Sequence, residues 1–330
     1  MGAATCRGVS AVVGSGTLID MVDWKNIAAA VFLLFTACAS AAAPAPEAVC
    51  PPMPAAVDAA PTEVSEHDQG LLWRIHAAGV APSYLFGTIH LADPRVIALA
   101  ETVRAAFDES EVLVAELELH PLARTQIAQA SLLPADTDSI ADRAPEVFGV
   151  LEDLAWKEFR LRKDDLLRLK PWAVFTLLSR PHVGSGKVLD EVLQDRASER
   201  GYEIIGLETA PELVAVLDGI STPDQIEILR DTVCNYEELK QQVAELVGYY
   251  LAGDLAAMWA INSRPHHDEA VYARFIDRIL TQRNRRMLER LRGPLARGRL
   301  FIAVGALHLP GEEGLLRGVE DMGYQLEKVY

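Results

Sequence analysis

Two histidines sit in matching contexts at opposite ends of the chain. Tyr84–Pro94 reads YLFGTIHLADP and Ala303–Gly311 reads AVGALHLPG. Each is a short apolar run followed by Gly-x-x-His-Leu and a turn residue, so Gly87 and His90 correspond to Gly305 and His308. Two further apolar runs, Val112–Leu117 and Tyr202–Leu207, deliver Glu116 and Glu208 in the same manner. Two imidazoles and two carboxylates suit a divalent metal, and with oxygen-rich ligation and no thiolate Mn, Co, Fe or Zn would all fit. Such an ion would acidify a water for hydrolysis. Whichever Glu is not a ligand could act as general base.

These residues converge only if the elements beneath them are strands of one sheet. Apolar runs bounded by Gly and Pro read as buried strands ending in tight turns. Glycine there permits a sharp turn or a close approach. Side chains just past strand ends lie where open α/β sheets hold ligands. Gly70–His90 reads as a hairpin, with Ala78–Ser83 as its turn. Asp93-Pro94 opens a helix, and Val112–Leu117 follows within βαβ distance, as for a parallel pair. His120–Leu178 is helical in pattern, with Trp156, Phe159, Leu166, Leu169 and Trp172 as core residues. Pro223–Ile261 reads as a long amphipathic helix interrupted around Gly248 and Gly253, and Glu269–Arg292 as another. Arg299–Val304 is the strand before the second motif, and Tyr324–Val329 closes an edge. Within Glu269–Arg292 the pair Arg283-Asn284 stands out, because Asn is mildly unfavourable in mid-helix and is expected to point into the site.

Other clusters carry less. His266-His267-Asp268-Glu269 is rich in ligand types, but neighbours in an extended loop point apart. Gly184-Ser185-Gly186-Lys187 lacks the earlier Gly and the Ser or Thr of a phosphate loop. Neither HExxH nor a G-x-S-x-G nucleophile elbow occurs.

The 330 residues carry a formal charge of -16. No basic stripe is present for nucleic acid, which is excluded as a partner. Residues 1–38 read as a leader, with Met21 as a candidate start and Ile27–Ala37 as its apolar core, too short to span a bilayer. Phe35-Thr36-Ala37-Cys38 resembles a lipobox, which makes Cys38 the expected lipidation site. Cleavage after Ala-Ser-Ala near Ala41 is the alternative. Residues 39–64 are Ala/Pro-rich and read as a tether. The globular part is 65–330. The expected location is therefore periplasmic, with the membrane as a partner through a lipid anchor. Cys50 and Cys234 could pair in an oxidising compartment or remain free thiols.

The motifs together resemble the TraB/GumN family, which includes the animal Tiki proteins. The matching pieces, in order, are Leu85–His90, Glu116, Lys170-Pro171-Trp172, Asp190, Gly206–Thr209, Arg283-Asn284, Val304–Gly311 and Gly323-Tyr324. The resemblance implies an α/β domain with a mainly parallel central sheet, an N-terminal hairpin and an extended helical insertion, similar to the erythromycin-esterase and ChaN-like group. It also implies divalent-metal-dependent proteolysis relying on the GxxH residues, as described for Tiki members.

The resulting expectation is a metal-dependent, peptidase-like hydrolase. His90, His308 and one or both of Glu116 and Glu208 would hold the metal. Arg283 would stabilise an oxyanion, and Asn284 would orient a peptide or small-molecule substrate. Two rivals stand beside it: an anchored binding protein for a peptide, metal or haem, and a metal-free esterase-like hydrolase with His as base.

Overall fold

The computed structural model describes residues 50–51, 67–180, 186–262 and 265–330. The leader, the lipobox with Cys38 and nearly all of the tether lie outside the described residues. Among the described residues no helix is long and apolar enough to cross a membrane.

Six strands form one sheet: β1 (Leu72–Ala77), β2 (Val80–Thr88), β3 (Val112–Leu117), β4 (Glu203–Glu208), β5 (Leu300–Gly305) and β6 (Gln325–Lys328), in the order β4-β3-β5-β2-β1-β6. The expected mainly parallel sheet is instead mixed. β4, β3, β5 and β2 run parallel, whereas β1 is antiparallel to both β2 and β6. The cause is local. β1 and β2 are joined by only Ala78 and Gly79, the latter at φ +76°, and so short a connection permits only an antiparallel pair. The turn is thus two residues, shorter than the predicted Ala78–Ser83.

β2 and β3 are parallel but not adjacent, because β5 inserts between them. That insertion sets the repeated motifs side by side, with Gly87 opposite Val304 and Thr88 opposite Gly305. On the other side Ala115 lies opposite Ala303, and Leu117 opposite Glu208. The C-terminal tips of four parallel strands therefore share one sheet edge. β5, covered on both faces, is apolar from Leu300 to Val304, as expected of a central parallel strand.

The helical insertion carries a second core, with Leu151, Leu166, Trp172, Phe175 and Leu229 at its centre. Trp156 is not part of it. The residue is 52% exposed, with the Arg160 guanidinium over its ring. The helix Tyr236–Ala252 passes through Gly248 unbroken and ends at Gly253 in the left-handed region, where a Cβ would be strained. The helix Glu269–Ile276 leads through a π turn, Asp277–Thr281, into the helix Gln282–Arg297. Cys50 is bonded to Cys234, across 184 residues of sequence.

Candidate functional site

The two motif glycines serve close approach. A Cβ at Gly87 would stand 3.1 Å from Cα and Cβ of Ala306, in the turn that carries His308. A Cβ at Gly305 would stand 3.2 Å from Glu116 Oε1. Without one, the Gly305 N–H donates to that oxygen at 2.6 Å. Strand pairing and missing side chains thus bring Glu116 against the second motif.

Each histidine is held through Nδ1. His90 donates to Asp190 Oδ2 at 2.7 Å, and Thr88 Oγ1 donates to Asp190 Oδ1 at 2.8 Å. An ionised carboxylate only accepts, so the proton must lie on His90 Nδ1. His308 Nδ1 lies 2.5 Å from Asn284 Oδ1. The Asn284 amide nitrogen donates to the backbone carbonyls of Glu313 (2.7 Å) and His308 (3.3 Å). That fixes the amide, so its oxygen accepts from His308 Nδ1. Both rings then direct Nε2 away from the anchoring residue. His308 Nε2 lies 3.7 Å from Glu116 Oε1.

The two histidines differ in charge preference. Burial, above all, pushes His308 down to about 4, so the ring is neutral. The Asp190 charge, above all, raises His90 against the opposing effect of partial desolvation. Burial would raise Glu116, but Arg283 above all, with the Gly305 N–H, outweighs it and holds the carboxylate well below its usual range.

Arg283 joins the remaining groups. Its Nη2 donates to Glu116 Oε2 at 2.5 Å and its Nε to Glu208 Oε2 at 2.7 Å. Its Nη1 reaches the Ile279 carbonyl at 3.2 Å and His308 Nε2 at 3.3 Å. Arg286 Nη1 takes the other Glu208 oxygen at 2.8 Å. The fold thus gathers Glu116, Glu208, Arg283, Asn284 and His308 into one network. His90 stands beside it, with its side chain 44% exposed.

By residue type alone, His90, His308 and Glu116 are donors that a divalent metal accepts. A metal-binding imidazole usually donates its other N–H to a fixed acceptor, and both His90 and His308 do. Glu116 adds a carboxylate next to His308 Nε2. Glu208 differs, with its side chain only 1% exposed and both oxygens held by guanidinium groups. Among the described residues, no group of three or more His, Cys, Asp or Glu side chains is arranged as a metal cage. Asn284 is buried and turned to His308, which gives it the imidazole to orient rather than the expected substrate.

His266 and His267 lie elsewhere. Both rings meet the two oxygens of Asp231, at 3.0 and 2.5 Å. His267 Nε2 also bonds the Pro51 carbonyl at 3.0 Å, beside the Cys50–Cys234 link. The site roles of Asp190 and Arg286 carry no local sequence signal. Asp190 enters only as a piece of the family resemblance, with no role attached, and its bond to His90 spans 100 residues. Arg286 is one of several arginines in a charged helix.

The chain is 26% identical to metalloprotease TIKI2 of Danio rerio over 322 residues, covering 80% of this chain and 62% of the zebrafish protein. It thus spans about three fifths of that relative's length. It is 24% identical to an uncharacterised protein of Treponema pallidum (strain Nichols) over 268 residues, covering 76% of this chain and 80% of that one. No solved structure matches the chain, the expected esterase and ChaN-like folds included. A model of the TraB/PrgY/gumN family matches residues 71–328, which hold all six strands and every group around Arg283, and the chain belongs to that family.

Proposed function

We propose that this chain is a divalent-metal-dependent hydrolase, peptidase-like in its choice of an amide substrate. The observation that carries the reading is the pair of Nδ1-anchored imidazoles, with His308 Nε2 3.7 Å from the Glu116 carboxylate. His90, His308 and Glu116 would hold the ion. When bound, a divalent cation supplies Lewis acidity, which polarises a carbonyl and makes water a better nucleophile near neutral pH. The chain's own residues set the stage. Asp190 and Asn284 keep Nδ1 of each ring protonated, so that Nε2 accepts. The Gly305 N–H fixes Glu116. Glu208 holds Arg283 and Arg286 in place at the edge of the sheet, where a guanidinium N–H turned from its carboxylate would donate to an oxyanion. Similarity to a zebrafish metalloprotease supports the reaction class. The Cys50–Cys234 disulfide supports an oxidising, extracytoplasmic setting. That setting agrees with export by the leader, and the lipobox would supply an anchor at the membrane.

A screen of peptides with Mn, Co or Zn tests the proposal. Turnover is expected to stop on chelation and in His90→Ala and Glu116→Gln. Full activity in both variants would falsify it. The exposed His90–Asp190 pair favours one second reading, a metal-free hydrolase with His90 as base, and turnover that survives exhaustive chelation would support that reading instead.

A further inference from the structure

Away from the strand tips, a second group of titratable side chains meets the disulfide. Asp231 lies in the last turn of the helix Thr222–Cys234. Its Oδ2 meets His266 Nδ1 at 3.0 Å, and its Oδ1 meets His267 Nδ1 at 2.5 Å and the Asn235 amide nitrogen at 3.0 Å. Burial would raise Asp231, but the bonds from the two histidines outweigh it and lower it. The carboxylate is therefore ionised and only accepts. His267 Nε2 lies 3.0 Å from the Pro51 carbonyl, which also only accepts. Both ring nitrogens of His267 must then carry protons, and the ring is an imidazolium. His266 differs. It donates from Nδ1 alone, and among the described residues its buried Nε2 has no hydrogen-bond partner. Its ring stacks on Tyr272, with centroids 3.3 Å apart. One carboxylate charge is thus met by one ring charge. Of the titratable groups beside the pair, Asp268 accepts from the Val271 N–H and Glu269 from the His266 N–H. Burial, above all, keeps the Tyr272 hydroxyl protonated.

We propose that the His267 imidazolium is a proton-dependent clasp on the Cys50–Cys234 disulfide, bridging Asp231 to the Pro51 carbonyl and letting that carbonyl go when the second ring proton leaves. A neutral imidazole has a single N–H. Asp231 holds it on Nδ1, so Nε2 turns from a donor into a lone pair facing the carbonyl oxygen. Pro51 follows Cys50 directly, and Cys50 is bonded to Cys234. A docked Pro51 keeps the Cys50 sulfur near Cys234 and raises its effective concentration there. Clasp and disulfide therefore support each other. Reduction by glutathione breaks the protein S–S bond, leaves two protein thiols and joins two glutathione thiols into one glutathione disulfide. The clasp biases that exchange towards the protein disulfide only while His267 is charged.

Equilibration of the purified full chain in glutathione redox buffers at pH 6 and pH 9, with free thiols counted after acid quenching, tests the clasp. At pH 6 the parent is expected to favour the disulfide at least fivefold over His267→Ala. At pH 9 the two are expected to agree within twofold. Comparing parent and variant at one pH cancels the ionisation of the thiols themselves. His266→Gln alters the neutral ring and is expected to stay within twofold of the parent at both pH values. Equal parent and His267→Ala at pH 6 overturns the clasp, and so does an advantage of the same size at pH 9. If His267→Ala fails to fold, the parent decides alone. The ¹⁵N resonances of its His267 ring are expected to show two protonated nitrogens at pH 6 and one at pH 9. A ring with a single proton at pH 6 overturns the proposal.

Discussion

Asp190 and Asn284 give the two motif histidines different characters. A carboxylate anchors His90 and a neutral amide anchors His308. Asp190→Ala is expected to weaken ion binding by about 10–100-fold, as loss of an outer-sphere partner does, with the melting transition retained. Asp190→Asn restores part of the loss, since its amide oxygen can still accept. His308 also predicts a pH effect. Its pKa in the fold, about 4, lies below the ordinary ~6.5, so the unfolded chain binds the proton first. The stability it contributes is complete above pH ~6.5 and is lost as pH falls towards the folded value. His90 runs the other way: its raised pKa gives stability at low pH that is lost as pH rises through the folded value. Denaturant titrations of the ion-free parent and His308→Gln, run between pH 7 and 4, separate the two. The variant is expected to lose less stability over that range.

At the scale of elements, the tips of β2, β3, β4 and β5 do the assembling. Their existence was legible because each is a short apolar run punctuated by glycine or by a charged residue. Their order was not. Nothing local tells β5 to enter between β2 and β3, yet that step makes neighbours of motifs more than two hundred residues apart. The antiparallel β1 was present in the hairpin signal, but its weight against the parallel strands depends on β6 adding to its far edge. The Arg283-Asn284 pair marked the inward position, but the partners of Arg283 were hidden, since nothing local says that one guanidinium joins Glu116, Glu208 and His308. Gly87 gives the sharpest test of the packing. Gly87→Ala places a methyl 3.1 Å from the backbone of Ala306 and is expected to cost about 1–3 kcal/mol by overpacking. Chemical denaturation would show it, and an unchanged midpoint would contradict the close approach.

For the whole molecule, the sheet core and the helical core are distinct clusters, and Cys50 is stapled through Cys234 to the helical insertion beside a third, small cluster of Ala144, Val147 and Ile226. Closing a loop of 184 residues restrains the unfolded chain strongly. Replacing either cysteine by serine is expected to remove about 2–5 kcal/mol, measured as a lower unfolding midpoint. Reductant should reproduce the loss in the parent and have no further effect in the variants. The pairing itself could not be read from the sequence, which left free thiols open. The net charge of -16 also belongs to this scale, because it hides the Arg283 and Arg286 guanidinium groups gathered at the strand tips.

The central claim is that His90 and His308 hold one ion between them. The most direct test is the metal content of the purified full chain after equilibration with Mn, Co or Zn, beside the His90→Ala, His308→Ala double variant. About one divalent ion per chain in the parent and none in a folded variant is the predicted result. An empty parent, or equal metal in the variant, would contradict the account.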